Sequence, residues 1–86
     1  MKPSIVIIED HPLYRDALIH LIQSELPDHK VIGESSVKLG KKLIDAENVS
    51  TGYQSIILLD LALPELAGIA AVYQLAADFP NNPLCI

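Results

Sequence analysis

Carboxylate side chains follow two apolar segments of this 86-residue chain, and these residues are the best suited to chemistry. Glu9 and Asp10 come directly after the aliphatic run at residues 5–8, and Asp60 comes directly after the run at residues 56–59. Runs that are apolar on both faces are typical of buried parallel strands, whose carboxyl ends share one edge of the sheet. Ligands of open parallel sheets bind at that edge. We therefore expect Glu9, Asp10 and Asp60 to converge if the first and third strands are neighbours.

Carboxylates held together repel one another unless a positive group intervenes. A donor set made only of oxygens favours a hard cation such as Mg2+. Beside such a cation, Asp60 could attack a phosphoryl group and form an aspartyl phosphate. Two alternatives stay open. Any one carboxylate at a strand end is more often a helix cap or a solvated loop residue than a ligand. The residues alone also do not separate phosphorylation from plain cation binding.

Strand and helix patterns alternate along the whole chain. We predict strands at residues 4–9, 30–35 and 55–60 and a last one from Leu84, with helices between them that begin at Pro12, after the Ser35-Ser36 cap and at Ala67. In the second helix the predicted buried face consists of Leu39, Leu43 and Ala46, and a turn is expected at residues 48–52. The order β-α-β-α-β-α-β predicts an α/β fold with a parallel sheet and helices on its faces.

Composition excludes several classes of protein. Six basic against eleven acidic residues give a net charge of -5, which argues against direct nucleic-acid contact. The longest apolar stretch, residues 66–73, is far shorter than the roughly 20 residues of a membrane span. A single cysteine, Cys85, cannot form an internal disulfide, and we expect it to lie in a buried strand. Without a signal-peptide pattern, a cytoplasmic protein is expected.

Two segments carry a resemblance to a known family: IVIIEDHPLYR at residues 5–15 and LLDLALPELAG at residues 58–68. Together they closely resemble the receiver domain of bacterial two-component response regulators, in which an acidic pair closes the first strand and an Asp closes the third. The segment DHPLYR together with Val31-Ile32-Gly33-Glu34 is most similar to receivers that precede a LuxR-type helix-turn-helix. The resemblance implies a flavodoxin-like (CheY-like) doubly wound sheet, present here in part.

The resemblance also implies roles for individual residues. Asp60 would be the phosphoacceptor, Asp10 a direct Mg2+ ligand, Glu9 a second or water-mediated acidic ligand, and the backbone carbonyl of Ala62 a further ligand. Pro64 and Gly68 would shape the neighbouring loop. A histidine kinase would be the phosphodonor, homodimerisation the output, and turnover of an external substrate is not expected. His11 is interpreted as a surface histidine after the cap, with a pH-sensitive neighbour of the carboxylates as the alternative.

Residues 1–86 match only the N-terminal part of a receiver, with the fourth strand just begun. The fifth strand, the last two helices and the strand-end Ser or Thr and Lys of the family have no counterpart in this sequence. We expect the uncovered fourth-strand edge to favour association. The main alternative is therefore a degenerate or truncated receiver that acts as a phosphorylation-independent interaction module. A haloacid-dehalogenase phosphatase is rejected because Ala62 stands where its second Asp is needed. A P-loop or dinucleotide-binding site is rejected because no glycine-rich turn follows a predicted strand.

Overall fold

The computed structural model describes residues 2–60 and 69–86, with side chains from residue 72 onward in the second segment. Strands and helices alternate along the chain, as the sequence predicts. Their bounds are β1 (Ile5–Ile8), α1 (Pro12–Glu25), β2 (Val31–Glu34), α2 (Val37–Thr51), β3 (Ile56–Leu59), α3 (Ile69–Asp78) and β4 (Leu84–Cys85). Residues 61–68, which include Ala62, Pro64, Ala67 and Gly68, lie outside the described residues.

The four strands form one parallel sheet in the order β2-β1-β3-β4. Ile5 is paired with Val31 on one side and with Ile56 on the other, so β1 is flanked by β2 and β3. The α/β class and the partial flavodoxin-like arrangement are confirmed, and the first and third strands are neighbours.

Apolar side chains of the strands enter two separate cores because successive side chains point to opposite faces of a sheet. The face covered by α2 and α3 has the larger core, in which seven side chains are buried: Val6, Ile8, Ile44, Ile57, Leu59, Leu75 and Phe79. The face covered by α1 has only three, Ile5, Ile7 and Val31, against which partly buried residues of α1 pack. No residue of α1 is fully buried.

Helix α2 differs from the prediction in its buried face. Its buried residues are Gly40, Ile44 and Glu47. Of the expected face, Leu43 is partly buried and packs against the larger core, whereas Leu39 is 45% exposed and Ala46 is exposed, so the face is shifted by about one position. The reason is steric: a Cβ at position 40 would lie 2.5 Å from Ile8 Cδ1. Only glycine lets the helix approach β1 this closely, so a residue that weakens an isolated helix fixes how this one packs.

Three smaller expectations are also corrected or refined. The turn expected at residues 48–52 is helical through Thr51, and the helix ends at Gly52, whose φ of 74° is the left-handed conformation that glycine adopts easily. Ser36 is the N-cap of α2, accepting a hydrogen bond from the Leu39 N–H. Cys85 is exposed rather than buried, because β4 is paired along one side only among the described strands. None of the described helices has the length and apolar character needed to cross a bilayer.

Candidate functional site

The register of the sheet brings the two acidic strand ends together. Ile8, the last residue of β1, is paired with Leu59, the last residue of β3. The Asp60 N–H donates to the Ile8 carbonyl at 3.2 Å, so the backbone continues in parallel up to the carboxylates. Glu9 is held from the other side, where its N–H donates to the Glu34 carbonyl at 3.0 Å.

Four side chains meet at this edge. One ligand atom from each of Glu9, Asp10, His11 and Asp60 lies within 4.8 Å of those of the other three. The structure thus brings together the three carboxylates that the sequence places at strand ends. It adds His11, which was expected at the surface with a pH-sensitive neighbour of the carboxylates as the alternative.

Glu9 is the most deeply buried member of the cluster. Its side chain is only 1% exposed, and Oε1 accepts a hydrogen bond from the His11 backbone N–H at 3.1 Å. The same oxygen lies 2.8 Å from His11 Nδ1. The N-cap residue of α1 therefore holds the Glu9 carboxylate in place.

Asp10 has an unsatisfied oxygen. Its Oδ1 is buried and has no hydrogen-bond partner among the described residues. His11 Nδ1 lies 3.1 Å from this oxygen, but that nitrogen is hydrogen-bonded to Glu9. Leaving a buried carboxylate oxygen without a partner costs free energy, and a cation at this point would remove that cost. The donor set therefore fits a metal ion.

His11 responds electrostatically to the carboxylates. The hydrogen bond to Glu9 raises the pKa of the imidazole, and the negative charge of Asp10 raises it further. Desolvation lowers this pKa, and the charges of Glu9 and Asp60 add weaker upward contributions. The ring itself is 70% exposed, so the part of the prediction that placed it at the surface is confirmed. Its place directly after the acidic pair was the available signal for its membership of the cluster.

Arg15 is a positioning residue that sequence reasoning missed. Its Nη1 donates to the Glu9 carbonyl at 3.1 Å, across the first turn of α1. The aliphatic part of Arg15 lies against Gly33 of β2, where a Cβ would come within 2.9 Å of Arg15 Cδ. Gly33 therefore provides the space through which Arg15 reaches the site. This contact gives a physical reason why the segments DHPLYR and Val31-Ile32-Gly33-Glu34 occur together in the resemblance.

A cavity of about 430 Å3 opens beside the cluster on the α1 side of the sheet. Glu9 and Asp60 form its polar part, and Tyr14, Leu58 and Ile86 are among its apolar lining residues. Glu9 and Asp60 therefore border this cavity.

Two curated proteins are similar to nearly all of this chain. A glycerol metabolism activator of Pseudomonas putida is 29% identical over 85 residues, which cover 95% of this chain and 35% of that protein. The transcriptional regulatory protein DegU of Brevibacillus brevis is 29% identical over 85 residues, which cover 93% of this chain and 32% of that protein. These relatives confirm the resemblance to response regulators.

The receiver-like chain spans about a third of the length of these curated relatives. Both relatives carry the names of regulatory proteins. No family model and no solved structure matches the chain.

Proposed function

We propose that this chain is a phosphoacceptor receiver, in which Asp60 takes a phosphoryl group from a histidine kinase in the presence of Mg2+. One observation carries the proposal: Glu9, Asp10 and Asp60 have ligand oxygens within 4.8 Å at the joint carboxyl edge of β1 and β3. Such an acidic edge is where an open parallel sheet binds its ligand.

In this proposal Asp10 and Asp60 bind the ion directly, Glu9 binds it directly or through water, and the backbone carbonyl of Ala62 is a further ligand. The unsatisfied Asp10 Oδ1 supports the role of Asp10. Mg2+ suits a site of one or two carboxylates that leaves positions for water and phosphate oxygens. When bound, the ion neutralises charge on the oxygens of the transferring group.

The residues of the chain perform the transfer by position. A carboxylate oxygen of Asp60 forms a bond to phosphorus while the bond from phosphorus to the donor's imidazole nitrogen breaks. The electron pair of the broken bond stays with the imidazole, which takes a proton from water. Glu9 is fixed by His11 and Arg15, so the charge beside the reacting carboxylate does not have to reorganise.

The proposed output is a changed surface for homodimerisation, which would regulate transcription in a longer parent protein. Exposed aliphatic side chains on α1, among them Leu13 at 86% and Leu21 at 59% exposure, support an association surface. The net charge of -5 supports the view that DNA is bound by an output domain and not by this chain. The proposed location is the cytoplasm, where histidine kinases present their phosphoryl group.

The test is the intact mass of the protein after incubation with acetyl phosphate, with and without Mg2+. We expect one added phosphoryl group that requires Mg2+ and disappears in Asp60→Asn, whose side chain is nearly isosteric. Asp45→Asn, which changes an exposed aspartate on α2, is the matched control and should keep the modification.

Phosphate that persists on Asp60→Asn would overturn the acceptor assignment. No mass gain in the folded wild type would instead favour the phosphorylation-independent interaction module. Sedimentation of the unmodified protein then tests that alternative, because the module predicts dimers without phosphate.

A further inference from the structure

Helix α2 is fixed to the rest of the fold through its inner side. Glu47 on this side accepts a hydrogen bond from the buried Ser4 hydroxyl. The next residue, Asn48, accepts one hydrogen bond from the Ser55 backbone N–H at 2.8 Å and another from Asn82 Nδ2 at 3.1 Å. The outer side of the helix is therefore held on a rigid support, and little conformational freedom is lost when that side binds a partner.

The outer side of α2 carries a regular exposed pattern. Four exposed residues recur at intervals of three, four and three positions, which is the spacing of the contact seam between paired helices: Leu39, Lys42, Ala46 and Val49. Leu39 is 45% exposed and Val49 is 85% exposed, although both are aliphatic. Within the described residues no element covers these four side chains, which we call the α2 seam. Covering them with a second helix removes apolar surface from water.

The charges along the α2 seam differ between its two halves. Lys38 and Lys42 are exposed in the first half of the helix, and Asp45 is exposed in the second half. Lys41, on the flank of the helix, is already paired with Asp78 at 2.6 Å. Neither Lys42 nor Asp45 forms an ion pair with another described residue. The seam therefore has a basic half and an acidic half, which complement each other when a second copy lies antiparallel.

An antiparallel second copy satisfies the apolar and the charged positions together. With a two-fold axis midway between Lys42 and Ala46, Leu39 of each copy lies opposite Val49 of the other. Asp45 directly precedes Ala46, so each Lys42 comes beside the Asp45 of the other copy. A two-fold interface uses the same surface on both copies, and every contact is therefore made twice. A parallel copy would instead place Lys42 against Lys42, where like charges repel.

We propose that the outer face of α2 is a dimerisation surface on which a second copy of this chain packs in the antiparallel direction. The inference goes beyond the proposed function, because it requires no phosphate on Asp60 and uses a different helix from the exposed side chains of α1. Helix α2 has 15 residues and is about 22 Å long, so the pair buries less than the roughly 1,600 Å2 of a standard interface. We therefore expect a weak dimer, with a Kd on the order of 0.1 mM.

The test is sedimentation equilibrium of the unmodified protein from about 10 μM to about 1 mM, a range that brackets this Kd. Lys42→Glu places a like charge beside each Asp45 of the other copy and should weaken association at least about tenfold. Asp45→Lys should weaken it equally. This second variant reduces the net negative charge of the chain, so general repulsion between the copies would predict stronger association.

Charge exchange supplies the rescue. The double variant Lys42→Glu/Asp45→Lys restores opposite charges at both contacts and should return the Kd to within about threefold of the wild type. A mixture of the two single variants should also associate, because each contact between the unlike copies joins opposite charges. A far-UV spectrum like that of the wild type checks that each variant is folded.

The apolar positions have a matched pair of variants. Val49→Ser should weaken association at least about fivefold, because two valines are then no longer covered by apolar contact. Leu21→Ser changes an aliphatic residue of α1 that is 59% exposed, and it should leave the Kd unchanged. Both positions are exposed, so neither change disturbs the core.

Three outcomes would overturn the inference. The first is a wild type that stays monomeric up to about 1 mM. The second is a charge-exchanged double variant that associates no better than the single variants. The third is association that is weakened by Leu21→Ser and not by Val49→Ser, which would place the contact on α1. Phosphorylation of Asp60 is measured separately, so its failure would overturn the proposed function and leave this inference standing.

Discussion

The buried carboxylate of Glu47 lies at the opposite end of the sheet from the acidic cluster, and the stability of the fold depends on it. Its Oε1 accepts a hydrogen bond from Ser4 Oγ at 2.6 Å, and Lys30 Nζ lies 3.2 Å from Oε2. Ser4 is fully buried and Glu47 is 7% exposed, whereas the Lys30 side chain is 62% exposed. These contacts attach α2 to the beginning of β1 and to the residue before β2.

The two partners of Glu47 should differ in their contribution to stability. A hydrogen bond to a charged, buried group contributes about 1.5–3 kcal/mol, so we expect Ser4→Ala to lower the free energy of unfolding by about 2 kcal/mol. An ion pair with an exposed lysine is screened by water, so Lys30→Met should cost less than about 1 kcal/mol. For a small domain with a total of about 5–15 kcal/mol, the first loss is a substantial fraction.

The assay is urea unfolding at neutral pH, with Ser24→Ala as the matched control. Ser24 is an exposed serine on α1 whose hydroxyl donates to the Leu21 carbonyl, and its replacement should change stability by less than about 0.5 kcal/mol. A cost of Lys30→Met equal to or above that of Ser4→Ala would refute the reasoning.

The pH dependence gives an independent check. The Ser4 hydrogen bond, and to a lesser extent Lys30, lowers the pKa of Glu47 below its ordinary 4.5 in the folded protein. Ionisation of Glu47 therefore contributes stability that is fully present above the unfolded pKa and is lost as the pH falls through the folded pKa. The difference between wild type and Ser4→Ala should accordingly be full at neutral pH and shrink in acid. A difference that stays constant in acid would contradict this assignment.

Three further outcomes are expected at the other end of the sheet. Gly40→Ala should destabilise the protein despite the better helix propensity of alanine, because overpacking against Ile8 costs about 1–3 kcal/mol. Urea unfolding should show that Ile8→Val lowers the free energy of unfolding less in the Gly40→Ala background than in the wild type. If the two losses of free energy simply add, the contact is contradicted. Gly33→Ala should displace Arg15. In a double-mutant cycle, Arg15→Ala should therefore lower the free energy of unfolding less in the Gly33→Ala background than in the wild type. In metal-free buffer, an NMR titration of His11 should give a pKa above its ordinary 6.5. This residue therefore contributes stability at low pH that is lost as the pH rises through the folded pKa. A pKa at or below the ordinary value would show that the ring does not contact the carboxylates.

The resemblance pattern has a structural explanation in the contacts around Arg15. The sequence shows DHPLYR and VIGE as two separate segments, and only the pairing of β1 with β2 brings them side by side. Arg15 then crosses over Gly33 and donates to the Glu9 carbonyl. A glycine in the middle of a strand is thus accounted for by the side chain that passes over it.

The sequence by itself determined the order of the elements and the position of the acidic residues along the chain. Apolar runs such as residues 5–8 fix where strands lie, because β-branched residues without polar alternation cannot form a solvated surface. Asp60 must then lie at a strand end, because the run at residues 56–59 stops there. These are local properties, and they were predicted correctly.

Only the tertiary structure decided which side chains face one another. The buried face of α2 was predicted wrongly because hydrophobic spacing favours Leu39, whereas the helix turns toward β1 at the one residue without a side chain, Gly40. His11 was correctly expected at the surface, but its residue type and position do not state that its ring comes within 2.8 Å of Glu9 Oε1. The buried face of α2 depends on the distance between elements far apart in the chain, and close packing sets that distance only when the whole sheet has assembled.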